Sequence, residues 1–297
     1  MSHLTVRSPA KLNLFLKVHG RRPDGYHELR TLFERIDLCD ELIFQPEASG
    51  RIRISCDDPQ VPTGRKNLVY QVAEFLQRMT KSPQGIHIRI NKRIPVAAGL
   101  AGGSSNAAGA IEGLNTFWQL GMSAEQKTEI GARIGSDINF FLKDTSWALG
   151  KGRGEQIHPL DMREKLWHVL VVPRVKMYSG EVFTALQAAP LKTEAGRADL
   201  KLTKEKDNAN ILIHSILQKN ITRAQALIWN DLEPAILRVR PSLKNVKESL
   251  LKAGIAPVTF SGSGPSVFGC VVAEQQAKRL ANVLRKRYSR VFAVRTL

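Results

Sequence analysis

An α+β fold in two units is what the sequence predicts, and two observations carry that prediction. Apolar residues alternate with period two in several stretches of residues 1–160, with helical runs inserted late. After about residue 160 the order of elements, without extra helices, is strand, helix, strand, strand, helix, strand, a ferredoxin-like arrangement. We place the border near residue 160, giving units of 1–160 and 161–297, a division that 297 residues permit.

In KLNLFLKV, Leu12, Leu14, Leu16 and Val18 alternate with Asn13, Phe15 and Lys17, which predicts a half-buried strand. Lys11 and Asn13 then share the opposite face. RIRISC and GIHIRI repeat the pattern with Ile52, Ile54 and Cys56, and with Ile86, Ile88 and Ile90. NLVYQVAEFLQRM reads as a helix capped by Asn67. Ser123 followed by Gln126 is a capping box opening a second helix. WHVLVV, PVTF, PSVFGCVV and RVFAVRTL read as strands of the second unit. GEVFTALQA, ANILIHSILQ, PSLKNVKESLLKAG and EQQAKRLANVLRKRY read as its helices. The polar stretch 189–207 has weak periodicity and is expected to be a long surface loop.

No run approaches the roughly 18 apolar residues of a membrane span, and no basic segment leads into an apolar block at the N-terminus. Cys39, Cys56 and Cys270 are widely separated, which fits a reducing compartment better than a disulfide framework. A cytoplasmic protein, bound to neither membrane nor nucleic acid, is expected. The net charge of +17 tests that expectation, with ten Lys and Arg against Glu248 and Glu274 over residues 241–297. Such a surface attracts polyanions, and an RNA-binding protein is a rival reading. Aromatic side chains that could stack on bases are sparse there, however, with Tyr288 nearly alone.

The most informative stretch is PVAAGLAGGSSNAA, residues 95–108, a turn between a strand-like and a helix-like run. Bare backbone at a helix N-terminus presents N–H groups without intrahelical partners, and the helix dipole adds partial positive charge; together they suit phosphate. Gly99, Gly102 and Gly103 are expected to supply positive φ and close approach. Ser104 and Ser105 add hydroxyls that suit phosphate or a divalent ion. The turn is neither a Walker A loop nor a dinucleotide fingerprint, because no Gly-Lys-Ser/Thr follows and G-x-G-x-x-G is absent.

Three further blocks occur in order: SPAKLNLFL (8–16), IGSDINFF (134–141) and SGSGPSVFG (261–269). With the glycine-rich turn they resemble the three-motif signature of the GHMP small-molecule kinases. RRPDGYHEL and NDLEP narrow the resemblance to the branch that phosphorylates the 2-hydroxyl of a cytidine diphosphate-linked methylerythritol in the non-mevalonate isoprenoid route. Mevalonate-, homoserine- or galactose-type acceptors are the rival enzyme reading. The resemblance implies a ribosomal-S5-like N-terminal domain, a ferredoxin-like C-terminal domain and a site in the cleft between them, in a monomer or weak homodimer. Two positions depart from the pattern. Asn139 stands where a proline is usual, and Ala101 where glycine is common.

Site residues follow from the resemblance. Pro95, Val96, Ala97, Ala98, Gly99, Leu100, Ala101, Gly102, Gly103, Ser104 and Ser105 would cradle ATP, with Asn67 and Lys92 at the adenosine. Mg²⁺ would ride on the phosphates with help from Ser105. Lys11 and Asp137 would be catalytic; a lysine beside an aspartate favours the ionised carboxylate and steadies a developing alkoxide. The bland alternative for Asp137 is a helix cap. Asn13 would lie on the acceptor. Tyr26 and Phe183 would sandwich its cytosine, with His27 on the base edge. Gly262 and Gly264 would wall the acceptor side.

Overall fold

The computed structural model describes residues 3–80, 84–187 and 208–297, so the loop expected over 189–207 lies outside the described residues. The first unit contains β1 (Leu4–Arg21), β2 (His27–Glu47), β3 (Ile52–Cys56), α1 (Leu68–Thr80), β4 (Gly85–Asn91), α2 (Gly102–Phe117), α3 (Ala124–Ile134), α4 (Ile138–Leu142), β5 (Trp147–Gly152) and β6 (Gln156–Leu160). Then follow β7 (Trp167–Val171), α5 (Ser179–Gln187), α6 (Asn208–Leu217), α7 (Ile221–Leu227), β8 (Trp229–Asn230), α8 (Glu233–Val239), α9 (Leu243–Lys252), β9 (Thr259–Phe260), β10 (Val267–Val271), α10 (Glu274–Arg285) and β11 (Val291–Arg295).

The first sheet is organised by the long strand β2. Its C-terminal half pairs with β4 and its N-terminal half with β5, while β1 runs antiparallel along its other edge. The isoleucines of β4 and Phe44 of β2 face Val69, Val72 and Leu76 of α1 and Ile111 and Leu114 of α2. The small residues of α2 let it lie close to the sheet: a Cβ on Gly113 would stand 2.2 Å from the Phe44 ring. The capping expectations hold. Asn67 Oδ1 accepts from Val69 N at 2.8 Å, and Ser123 and Gln126 form both bonds of a capping box.

The second sheet has the order β11-β7-β10-β9, antiparallel throughout, with α10 packed on it. Numbered within their own unit, the strands run 4-1-3-2, the ferredoxin-like order read from the sequence. The sheets are not independent. β8, from the second half of the chain, adds to the first sheet parallel to β1, with Leu16 opposite Asn230. The half-buried reading of β1 therefore needs correcting, because residues 10–16 are buried on both faces. The face bearing Lys11 and Asn13 is covered rather than solvated.

A buried ion pair joins the sheets. Glu34 Oε2 of β2 lies 2.8 Å from His168 Nε2 of β7, both side chains wholly buried, and Glu34 Oε1 accepts from Thr296 Oγ1 at 2.5 Å. Desolvation opposes a charged His168, but the charge of Glu34 and the Cys270 and Glu34 side chains beside the imidazole, as acceptors, outweigh it and push the imidazole up to about 10. Its folded-state value thus lies above the unfolded one of about 6.5. The pair's stabilisation is full below about pH 6.5 and is lost as pH rises through about 10, with a slope of at most about 1.4 kcal/mol per pH unit for one proton. Melting temperature measured from pH 6 to 10.5 should fall across that window, and the Glu34→Gln, His168→Gln double variant should flatten the fall. An unchanged slope would show that the pair does not titrate there.

Candidate active site

A cleft of about 820 Å³ opens between the units. Its walls are β1 and β2, the 95–104 turn, the start of α4, α5 and the 262–264 turn.

The turn delivers α2 into the cleft. The first intrahelical bond runs from Ser105 N to Ala101 O at 2.9 Å, so the N–H groups of Gly102, Gly103 and Ser104 precede the ladder. Ala97, Gly99 and Ala101 take left-handed φ of 52°, 75° and 54°. Positive φ was expected at all three glycines, but it occurs at Gly99 alone. Gly102 and Gly103 are already helical; their contribution is space. Alanine in this region costs roughly 1–2 kcal/mol, so Ala97 and Ala101 are held there by their surroundings.

Those surroundings include the second glycine turn. Ser261 Oγ donates to Gly99 O at 2.9 Å, and Ser266 N donates to Ala98 O at 3.3 Å. On the other flank Lys11 N donates to Leu100 O at 3.1 Å. The second turn is held from beneath by the buried Asn230 Nδ2, which donates to Phe260 O and Gly262 O at 2.9 and 2.7 Å.

Lys11 sits on the cleft floor, 5% exposed. Its Nζ donates to Asn13 Oδ1 at 2.5 Å and stands 3.8 Å from Asp137 Oδ2. Asn13 Nδ2 donates to Thr31 Oγ1 at 2.8 Å, and Thr31 Oγ1 donates to Phe15 O at 2.7 Å, which fixes the amide with its oxygen toward the lysine. Burial pushes the ammonium below the ordinary lysine value, while the charge of Asp137 works against that. Asp137 occupies the N-cap position of α4 but makes no side-chain cap bond. The carboxylate is thus free of capping and directed at Lys11. Arg35 secures α4 from the far end, donating to Phe140 O and Lys143 O at 2.5 Å each. A Cβ on Gly262 would stand 3.3 Å from Asn13 Oδ1 and 3.6 Å from Lys11 Nζ, so the second turn is the lid over this pair. Gly264 lies beside it on the cleft wall.

The other end of the cleft is aromatic. His27 stacks on Phe183 with centroids 4.9 Å apart, and burial, helped by Arg21, lowers the imidazole's proton affinity. Tyr26 is 55% exposed, with the Arg153 guanidinium 4.7 Å from its ring centroid. The structure thus puts His27, rather than a gap for a base, against the Phe183 ring. Asn67 and Lys92 also line the cleft, but their polar atoms are engaged. Asn67 Nδ2 donates to Pro62 O at 2.6 Å while its oxygen caps α1, and Lys92 Nζ donates to the buried Asp40. Asp40 also accepts from Arg93 N and Ile94 N at 2.7 and 2.8 Å, anchoring the entry to the turn. Ser104 lines the cleft. Ser105 does not; it is buried, and its hydroxyl has no hydrogen-bond partner among the described residues.

Family models for the GHMP kinases N terminal domain and the GHMP kinases C terminal match residues 67–143 and 212–290. The chain belongs to the GHMP kinases. Among members of this family it is 37% identical over 293 residues to the 4-diphosphocytidyl-2-C-methyl-D-erythritol kinase of Shouchella clausii (strain KSM-K16), covering 99% of this chain and 94% of that one. The enzyme of the same name from Bacillus subtilis (strain 168) is 36% identical over 291 residues, with 98% and 96% covered. A crystal structure of 4-(cytidine 5'-diphospho)-2C-methyl-D-erythritol kinase superposes with a TM-score of 0.81 at 30% identity, covering 98% of each chain. A homoserine kinase from Cytophaga hutchinsonii shares the fold at 18% identity and a TM-score of 0.71, covering 100% of this chain and 95% of that one.

As a GHMP kinase the chain is a small-molecule kinase, and ATP is the co-substrate of that family. Neither departure from the family pattern has a structural explanation: the buried Asn139 Oδ1 has no hydrogen-bond partner among the described residues, and Ala101 takes positive φ. Asn139 lies inside α4, buried against α3, where a Cβ on Gly131 would stand 2.4 Å from its Oδ1. Ala101 keeps the left-handed geometry that a glycine would adopt at lower cost. Sequence reasoning gave no role to Thr31, Arg153 or Asn230, the last although it opens the NDLEP block. Thr31 and Asn230 are polar residues whose partners are distant in the chain; Arg153 sits in GKGRGE, which reads as an ordinary turn.

Proposed function

We propose that the chain transfers the γ-phosphoryl group of ATP to the 2-hydroxyl of 4-diphosphocytidyl-2-C-methyl-D-erythritol, in the non-mevalonate route to isoprenoid precursors. The observation that carries this reading is the Asp137 carboxylate, unused as a cap and 3.8 Å from the buried Lys11 ammonium. It stands on the floor of a cleft with a helix N-terminus on one wall and aromatic rings at the far end. Near-full-length similarity to enzymes named for this acceptor supports it.

In this reading the triphosphate lies on the N–H groups of Gly102, Gly103 and Ser104. Gly103 has room for it: a Cβ there would meet nothing closer than Leu68 Cδ1 at 3.9 Å. The acceptor hydroxyl enters between Lys11 and Asp137. Asp137 takes or orients its proton, the oxygen bonds to the γ-phosphorus, and the bond to the β–γ bridging oxygen breaks, leaving ADP. Lys11 offsets the charge gathering on the transferred group. The Asn13–Thr31–Phe15 chain keeps Lys11 aimed, and the Gly262 turn excludes water.

Magnesium fits as an ion brought by the triphosphate. No group of three or more His, Cys, Asp or Glu that could hold a metal occurs among the described residues. Ser104, on the cleft wall, is better placed to meet such an ion than the buried Ser105. When bound, magnesium screens the charge of the β- and γ-phosphates. We assign the work to the cytoplasm of a bacterium, in a monomer or weak homodimer.

The acceptor reading is tested with cytidine and uridine forms of the substrate, measuring ADP release. A site that bonds the exocyclic amine of cytosine leaves buried polar groups unpaired with uracil, so kcat/KM should drop by about tenfold or more. Equal values would remove Tyr26 and His27 from base recognition.

A further inference from the structure

Arg153 belongs to the turn between β5 and β6, and its side chain lines the cleft, one-third exposed. The turn is rigidly held: Arg153 N donates to Glu155 Oε2 at 2.5 Å and Gly154 N to Lys151 O at 3.0 Å. Two contacts fix where the residue lies along the cleft. Its guanidinium lies over the Tyr26 ring, at the nucleoside end. The next residue, Gly154, lies at the reacting end, where a Cβ would stand 3.7 Å from both Asp137 Oδ1 and Phe33 Cζ. Arg153 therefore spans the stretch between base recognition and phosphoryl transfer.

Lys66, the cation beside Asn67, lies just before α1 rather than between Tyr26 and Asp137, and two other lysines of the cleft are engaged. Lys11 is bound to Asn13 and faces Asp137, and Lys92 is bound to Asp40. Arg153 has loose counter-charges, with Glu155 Oε1 3.9 Å from its Nε and Asp24 near enough to feel its charge. A guanidinium fork presents several donors in a plane that matches phosphate oxygens, and a contact with an aromatic ring uses none of those N–H donors in a conventional hydrogen bond.

We propose that Arg153 is the acceptor-diphosphate residue of this cleft, binding the diphosphate that joins a pyrimidine nucleoside to the alcohol being phosphorylated. The inference rests on the acceptor reading above and deepens it. Arg153 sets the distance between the base, held at Tyr26 and His27, and the hydroxyl at Asp137.

The test is calorimetric titration of the full chain with CDP and with cytidine, for the native protein, Arg153→Met and Arg153→Lys, with melting temperature as a folding control. A charge-assisted contact to phosphate should make CDP bind the native protein about ten- to a hundredfold more tightly than cytidine. Arg153→Met should bring that ratio close to one with the cytidine Kd unchanged, and Arg153→Lys should retain part of it. A ratio untouched by Arg153→Met overturns the proposal while leaving the acceptor reading standing. Equal weakening of CDP and cytidine also overturns it, reducing Arg153 to a brace for Tyr26. If the native protein binds neither compound, the acceptor reading itself fails and the proposal with it.

Discussion

Asp137→Asn should fold as the native chain does and lose about 10²–10⁴-fold in kcat, the usual contribution of a general base. Asparagine is nearly isosteric and caps helices well, so a capping role would leave the variant almost fully active. The absence of any cap bond from Asp137 favours the larger effect. Both KM values should change far less, because the carboxylate acts on the reacting proton rather than on either ligand's recognition groups. Lys11→Met keeps the aliphatic stem under the Gly262 turn and removes the charge. Its loss in kcat should be comparable, and the double variant should be little worse than either single, since groups acting as one unit are not additive. Steady-state kinetics of the three variants, with melting temperature as control, decide the matter. An Asp137→Asn enzyme within about threefold of native kcat lies outside the range of a base and returns Asp137 to the helix end.

The parts of this site that could be read from sequence are those in which residue type and local geometry agree. Alternation in KLNLFLKV put Lys11 and Asn13 on one face, and they are hydrogen-bonded there. The strand and helix order after residue 160 gave the second sheet. β2 escaped notice although it is the longest strand, because Glu34 and Asp40 interrupt its apolar pattern. Both are wholly buried, Glu34 against His168 and Thr296, Asp40 against Lys92 and two backbone N–H groups. Buried charges are tolerable only with partners, and those partners lie between 52 and 262 residues away. The left-handed turn was obscured for the opposite reason. Alanine at 97 and 101 carries no signal for positive φ, and the glycines at 102 and 103, which do, are helical. Here tertiary contacts with the 261–266 turn override local preference. The strong positive charge has no counterpart in the site described.

Gly99 and Gly103, four residues apart in one turn, should fail in opposite ways when replaced by alanine. A Cβ on Gly99 would stand 2.3 Å from Ser261 O and 2.8 Å from Gly264 O, both backbone atoms that cannot swing aside, and φ there is +75°. Left-handed strain of roughly 1–2 kcal/mol adds to overpacking of about 1–3 kcal/mol, so Gly99→Ala should lose about 2–5 kcal/mol of stability. It also pries apart the two glycine turns that hold the cleft together, so activity falls with the fold. A Cβ on Gly103 meets nothing closer than Leu68 Cδ1 at 3.9 Å, and the backbone is helical. Alanine is the better helix former by about 1 kcal/mol, so Gly103→Ala should melt no lower than the native protein. The added methyl projects where the triphosphate must approach the helix N-terminus, and KM for ATP should rise by about tenfold or more, the effect of losing roughly 1.4 kcal/mol of binding. Thermal melting and ATP titration of both variants separate the two outcomes. A Gly103→Ala protein that melts normally and binds ATP as the native one does would show that this helix end does not hold the phosphates.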